Sequence, residues 1–108
     1  MVGALEQGRT HFDRHEWTEA HAHFAQADHE VPLESADIER LATAAYLIGL
    51  DAESSTAWSR AYHEHVSAGD WVGATRCAFW MGFGLMNRGE YAQAGGWLAR
   101  ARRQLDQT

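Results

Sequence analysis

The sequence predicts an all-α fold of six helices, arranged as three helix–turn–helix repeats. Two segments share one skeleton, in which an aromatic residue is followed at three, seven and ten residues by Ala, a large apolar residue and Ala. The two copies are Trp17, Ala20, Phe24 and Ala27, and then Tyr91, Ala94, Leu98 and Ala101. Steps of three, four and three residues place each set on one stripe of a helix. Ala is abundant, Val and Ile are scarce and Pro occurs once, which leaves few residues suited to strands.

The helix ends follow from the turn residues around this skeleton. Gly8 and Gly82 occupy equivalent positions in the helix before each copy, where a residue without a side chain allows a neighbouring helix to approach closely. Ser35 and Asp70 are predicted N-caps, and Gly69 is a predicted helix stop. The six predicted helices cover residues 3–14, 17–30, 35–49, 54–68, 71–88 and 91–106. Within the last of these, Gly95 and Gly96 are expected at a close backbone contact.

The middle repeat follows the pattern less clearly than the other two. Its second helix is expected to start late, because residues 50–54 lengthen the turn. Ser54, Ser55 and Thr56 would then cap the helix start. Trp58, Ala61, Tyr62 and Val66 supply an apolar stripe further along the same helix.

The repeat resembles the tetratricopeptide repeat, a helix–turn–helix unit of about 34 residues. The matching residues are Gly8, Trp17, Ala20, Phe24, Ala27 and Pro32 in the first repeat, and Met81, Gly82, Leu85, Gly89, Tyr91, Ala94, Leu98 and Ala101 in the third. The first repeat departs from the pattern at Ala4, Gln7 and His11. The resemblance implies a single domain over residues 1–108, with repeats at about 1–33, 34–68 and 69–106. The repeats would stack into a right-handed α-α superhelix with a concave side.

The amino-acid sequence of the third repeat indicates a narrower resemblance. Residues 76–82 (RCAFWMG), followed by 88–90 (RGE) and 94–103 (AGGWLARARR), are similar to the helical repeat region of actinobacterial LuxR-type transcriptional regulators. Residues 39–47 (ERLATAAYL) fit the same region. Such regulators typically join a repeat region to a C-terminal helix-turn-helix domain. The resemblance therefore implies a sensory or scaffold part in transcriptional control.

Composition excludes several classes of function for these 108 residues. The formal net charge is −6 and Lys is absent, which argues against direct nucleic acid contact. No apolar run approaches the length of a membrane span, and the first residues lack the features of a signal peptide. Cys77 is the single cysteine and is expected to be a buried, inert thiol. Together these features predict a cytoplasmic protein.

Seven histidines are the only conspicuous excess of residues that could carry chemistry. His11 and His15 are four residues apart, as two zinc ligands on a helix can be, but His15 falls in a predicted turn. His21 and His23 lie two residues apart, as do His63 and His65, which points the members of each pair to different faces of a helix. We therefore predict polar surface histidines, no metal site and no cofactor. No nucleophile–base pattern is present, so the sequence does not predict an enzyme.

The leading expectation is a surface that binds a protein or peptide segment. In tetratricopeptide repeats the first helix of each pair lines the concave face. Carried onto this chain, that rule selects Arg9, Phe12, Asp13, Thr43, Tyr46, Leu47, Phe79, Phe83, Met86 and Asn87. Phe79, Phe83 and Met86 form an apolar strip at i, i+4 and i+7, which is typical of a surface for peptide or helix recognition. The competing interpretation is that Phe79 and Phe83 are simply core residues.

Two further possibilities remain open from the sequence. The concave face could instead hold a small molecule against Trp80, Phe83 and Tyr46. An end of the repeat array could also pack on a second copy as a homodimer, since each repeat buries its apolar stripe against the next. At the C-terminal end the apolar residues in question are Trp97 and Leu105, eight positions apart on the last helix.

Overall fold

The computed structural model describes residues 3–107, which form six α-helices and, within that range, no strand. The helices are α1 (Ala4–Asp13), α2 (Trp17–Glu30), α3 (Ser35–Leu47), α4 (Asp51–Ser67), α5 (Trp71–Asn87) and α6 (Tyr91–Asp106). The all-α prediction is confirmed. None of these helices has the length and apolar character needed to cross a bilayer. The chain divides into two compact units, Met1–Ala57 and Trp58–Thr108, with the boundary inside α4. A single domain over residues 1–108 stays a prediction.

In the first unit, α1 and α2 form a hairpin whose crossing point is Gly8. A Cβ atom at Gly8 would lie 2.9 Å from Cδ1 of Phe24, so the ring occupies the space of the missing side chain. Phe24 is fully buried there, with Ala20 and Ala27 one turn to either side. Helix α3 packs against α2 and contributes the buried Ile38.

The second unit repeats this crossing between α5 and α6. A Cβ atom at Gly82 would lie 2.8 Å from both Cγ and Cδ2 of Leu98, and 3.3 Å from the carbonyl oxygen of Ala94. The two predicted glycine contacts, Gly8 on α2 and Gly82 on α6, are therefore confirmed. Asp70 caps α5 as predicted, because its side chain accepts a hydrogen bond of 2.9 Å from the Gly73 N–H.

The turns inside the three helix pairs share one conformation. His15, Gly49 and Gly89 have φ values of 60°, 84° and 77°. The residue after each of them donates a backbone hydrogen bond to a carbonyl in the last turn of the preceding helix. The Leu50 N–H, for example, donates to the Ala45 carbonyl at 2.8 Å. The left-handed φ is the reason that two of the three positions carry glycine.

The structure corrects two predictions about helix starts. Helix α4 begins at Asp51 and not at residue 54, so Ser54 lies one turn inside the helix and caps nothing. It takes the place that Ala20 holds in α2, and its hydroxyl donates a hydrogen bond of 2.8 Å to the carbonyl of Ala42 in α3. Ser35 is also not an N-cap, because Glu34 occupies that position without a side-chain cap hydrogen bond.

The pair Gly95–Gly96 was expected at a close backbone contact, and this expectation is wrong. Both residues are exposed on α6, and a Cβ atom at either would meet nothing within 4 Å. The two glycines therefore lower the helix propensity of α6 without a packing gain.

Gly82 and Gly84 of α5 lie two residues apart and therefore on different faces of the helix, which provides a matched test of the crossing. Gly82→Ala should lower the free energy of unfolding by about 1–2 kcal/mol, since overpacking against Leu98 outweighs the gain in helix propensity. Gly84→Ala should raise it by up to about 1 kcal/mol, because a Cβ atom there meets nothing within 4 Å. Urea unfolding followed by far-UV circular dichroism measures both. Equal effects at the two positions would contradict the close approach at Gly82.

Candidate functional site

Helix α5 carries large apolar side chains that remain in solvent. Phe79, Trp80, Phe83 and Met86, which we call the α5 strip, expose 47%, 43%, 39% and 44% of their surface. The Phe79 and Phe83 rings stack with centroids 6.2 Å apart, and Trp80 meets them edge-on at 5.3 Å and 5.5 Å. These exposures do not fit the interpretation of Phe79 and Phe83 as core residues. The binding role of Phe79, Phe83 and Met86 stays a prediction.

The composition of the buried stripe of α5 explains why its aromatic residues face solvent. The buried residues are Gly73, Ala74, Cys77, Ala78, Gly82 and Leu85. All but Leu85 are small, which lets neighbouring helices approach closely and leaves no volume for rings on that side. The aromatic residues therefore occupy the positions between, where they remain exposed.

Beside the α5 strip, α5 and α6 enclose an open groove of about 790 Å³, the α5–α6 groove. Its lining consists of Val72, Thr75, Arg76, Phe79, Trp80, Ala101, Arg102, Leu105 and Asp106. Val72 and Leu105 expose 64% and 58% of their surface. Trp80 is supported from behind by Trp58, with the two rings stacked at 6.5 Å. The groove therefore combines apolar walls with three charged residues.

Trp97, which was expected on the open apolar end with Leu105, is largely covered. Its ring lies edge-on to Tyr62 at 5.1 Å, and the Arg100 guanidinium carbon lies 4.4 Å above its centroid. Gln104 donates a hydrogen bond of 3.0 Å to the Tyr62 hydroxyl beside this stack. Of the two residues expected there, Leu105 is the exposed one.

The predicted partner-binding residues of α1 have mixed surroundings. Arg9 donates two hydrogen bonds to the Asp37 carboxylate, so its guanidinium is engaged within the first unit. Phe12 is half-buried and packs edge-on to Trp17 and Phe24. Asp13 is exposed at the end of the helix.

The predicted residues of α3 and of the end of α5 lie closer to solvent. Tyr46 and Leu47 are both exposed on α3. The Thr43 hydroxyl donates to the carbonyl of Glu39 in its own helix, at 2.9 Å. Asn87, the last residue of α5, is exposed next to Met86.

Asp37 is a buried carboxylate that sequence reasoning missed. Its side chain is 2% exposed and accepts hydrogen bonds from Arg9, at 2.7 Å and 3.1 Å, and from Arg40, at 2.9 Å. Burial alone would raise the pKa of Asp37, but the hydrogen bonds and positive charges of Arg9 and Arg40 outweigh it, so the pKa lies below its usual value. The available signal was an acid three residues before Arg40, placed between Ala36 and Ile38.

Replacing this carboxylate should produce a pH-dependent loss of stability. Asp37→Asn should lower the free energy of unfolding at pH 7 by about 1–3 kcal/mol, because the charged hydrogen bonds are lost. Because the pKa of Asp37 is lower in the folded state, its carboxylate stabilises the protein at pH values above the unfolded-state pKa of about 3.9. This stabilisation is lost as the pH falls through the folded-state pKa. The stabilities of wild type and variant should therefore converge in acid.

Urea unfolding between pH 7 and pH 3 measures this convergence. Asp13→Asn removes the same charge from an exposed position and should change stability by less than about 0.5 kcal/mol. A gap between wild type and Asp37→Asn that does not narrow in acid would contradict the account of Asp37.

The histidines of the first unit are distributed among separate contacts. His11 lies 2.9 Å from the Glu16 carboxylate and stacks on His23 at 5.2 Å. His15 stacks on Trp17 at 5.1 Å in the turn. His11 therefore pairs with His23 and not with His15. His21 instead lies 2.9 Å from Glu53 of α4.

His65 is the one buried histidine among the described residues, and sequence reasoning missed it. Its Nδ1 lies 3.1 Å from Oδ2 of Asp70, the cap of α5, and would be 2.5 Å from a Cβ atom at Gly73. The Gly73 N–H and then His65 hold the pKa of Asp70 below its usual value. The Cys77 sulfur lies within 4.8 Å of a His65 ring nitrogen and is fully buried. His65 and Asp70 thus join the end of α4 to the start of α5.

No protein-family model matches the chain, and a search of curated proteins returns no significant match. The likeness to tetratricopeptide repeats and to LuxR-type regulators thus rests on the sequence patterns of the repeats alone.

Proposed function

We propose that this chain is a non-catalytic tetratricopeptide-like module that binds a segment of another protein. Its helix pairs would belong to an α-α superhelix of the kind that this repeat builds. The observation that carries the proposal is the α5 strip, in which Phe79, Phe83 and Met86 stand exposed on one helix. Contiguous apolar surface of this kind is typical of interaction sites.

The physical properties of the strip suit recognition of an apolar segment. The rings of Phe79, Trp80 and Phe83 contact one another on a helix, so little side-chain entropy remains to be lost on binding. Fully buried aromatic side chains remove about 150–250 Å² each from water, and such residues dominate binding energies. The polar Asn87 lies exposed at the end of the strip, as residues at the rim of an interface do.

A regulatory role is the wider form of the proposal and rests on the resemblance to LuxR-type regulators. The module would be the sensory or scaffold part, and DNA contact would fall to another segment. Several arginines are already engaged in the protein, Arg9 and Arg40 with Asp37, and Arg88 with Glu90. That engagement, with the net charge of −6, disfavours phosphate binding by these residues.

The alternative of a small-molecule site receives less support. The α5–α6 groove has a suitable volume, since ligand sites usually measure about 300–1,000 Å³. However, its charged residues Arg76, Arg102 and Asp106 are accompanied by no buried polar side chain that could fix a ligand's orientation. Protein recognition, which tolerates a shallow apolar surface, is therefore the better fit.

Peptide selection tests the proposal. Random peptides displayed on phage should be enriched by the wild-type chain for sequences with apolar residues at helical spacing. The double variant Phe83→Ser/Met86→Ser should bind the selected peptides at least about thirtyfold more weakly, as expected when central anchors are lost. Binding is measured by fluorescence anisotropy with labelled peptides.

Tyr91→Ser is the matched control, because Tyr91 is an exposed aromatic residue of the same unit outside the α5 strip. It should leave the affinity unchanged within about twofold. Selected peptides that bind wild type and the double variant equally would overturn the proposed site. A midpoint of unfolding that rises with metabolites but not with the peptides would favour the small-molecule alternative.

A further inference from the structure

The α5–α6 groove extends the apolar surface of the α5 strip towards α6. Val72 and Leu105 are the most exposed of its large side chains, and Phe79 and Trp80 extend the same surface. Together these four side chains present on the order of a few hundred Å² of apolar surface to solvent. Patches of this size occur on monomeric proteins and often serve as interaction sites.

The charged residues of the groove indicate what that covering surface is. Arg102 and Asp106 lie one turn apart on α6, with Leu105 between them, and all three line the groove. A partner helix with charges of one sign would meet one favourable and one unfavourable residue on α6, and Arg76 of α5 adds a further positive charge to the groove. An antiparallel copy of α6 would instead present an acid to the arginine and an arginine to the acid.

We propose that the α5–α6 groove is a homodimer interface, in which α6 packs antiparallel on α6 of a second copy about a two-fold axis. Arg102 would face Asp106 of the partner subunit, and Asp106 would face Arg102 of the partner subunit. Leu105 lies near the axis, with Val72 and Trp80 at its sides. The contact is isologous and closes at two copies.

The proposed interface is small. Two apolar patches, with the charged rim around them, would bury about 1,000 Å² in total, which is the lower limit for a specific interface. A reversible dimer is therefore expected, in equilibrium with the monomer. Charge pairs at the rim contribute mainly orientation, and salt weakens them.

The dimer and the proposed peptide site overlap at Phe79 and Trp80, which belong to the α5 strip and also line the groove. Phe83 and Met86 belong to the strip alone. A second copy and a bound peptide can thus be tested with separate variants. Phe83→Ser/Met86→Ser should leave self-association unchanged, so failure of either idea is distinguishable from failure of the other.

A charge-swap series measured by sedimentation equilibrium tests the interface. Wild type should show a monomer–dimer equilibrium at micromolar concentration. Arg102→Asp and Asp106→Arg, each of which opposes like charges across the axis, should weaken the dimer at least about tenfold. The double variant Arg102→Asp/Asp106→Arg restores opposite charges and should return the dissociation constant to within about threefold of wild type. Circular dichroism checks that each variant remains helical.

Arg103→Asp is the matched control, since it makes the same charge change on α6 at an exposed residue that does not line the groove. It should leave the dissociation constant nearly unchanged. A monomer at every concentration overturns the proposal, as do single variants that dimerise like wild type, or a double variant weaker than both singles. Species that grow beyond the dimer with concentration contradict the closed two-fold contact.

Discussion

The close approach of paired helices at a glycine is the contact on which the other features depend. In the first unit the Phe24 ring fills the space beside Gly8, and in the second Leu98 fills the space beside Gly82. In the pair α3–α4 the residue that corresponds to Gly8 and Gly82 is Ala42. Its carbonyl accepts a hydrogen bond from the Ser54 hydroxyl of α4. Any larger residue at these crossings would separate the helices and lose the contacts on both sides.

This constraint also determines which side chains reach solvent. A helix that devotes its buried stripe to Ala74, Ala78 and Gly82 cannot place rings there, so Phe79 and Phe83 emerge on an exposed face. The α5 strip and the neighbouring groove are thus consequences of tight helix pairing. The same pairing provides the rigid support that a recognition surface needs, because the rings are held on a helix and not on a loop.

Patterns within one helix were predictable from the sequence, and contacts between distant residues were not. The repeated skeleton located the helices and the crossings at Gly8 and Gly82 because its spacing follows directly from helix geometry. The Asp37 carboxylate was missed because its partner Arg9 lies 28 residues away. The start of α4 was misplaced because Ser54, a small polar residue, stands where the other copies have Ala. Exposure of the α5 strip was foreseen as a possibility, whereas the groove required the relative placement of α5 and α6.

The most direct test of the central contact is nuclear Overhauser spectroscopy on the labelled protein in solution. The glycine crossings predict cross-peaks between the Gly82 Hα protons and the Leu98 methyl groups, and between the Gly8 Hα protons and the ring of Phe24. These pairs lie far apart in sequence and approach only if the helices pack as described. Absence of both sets of cross-peaks, with all of these resonances assigned, would contradict the account.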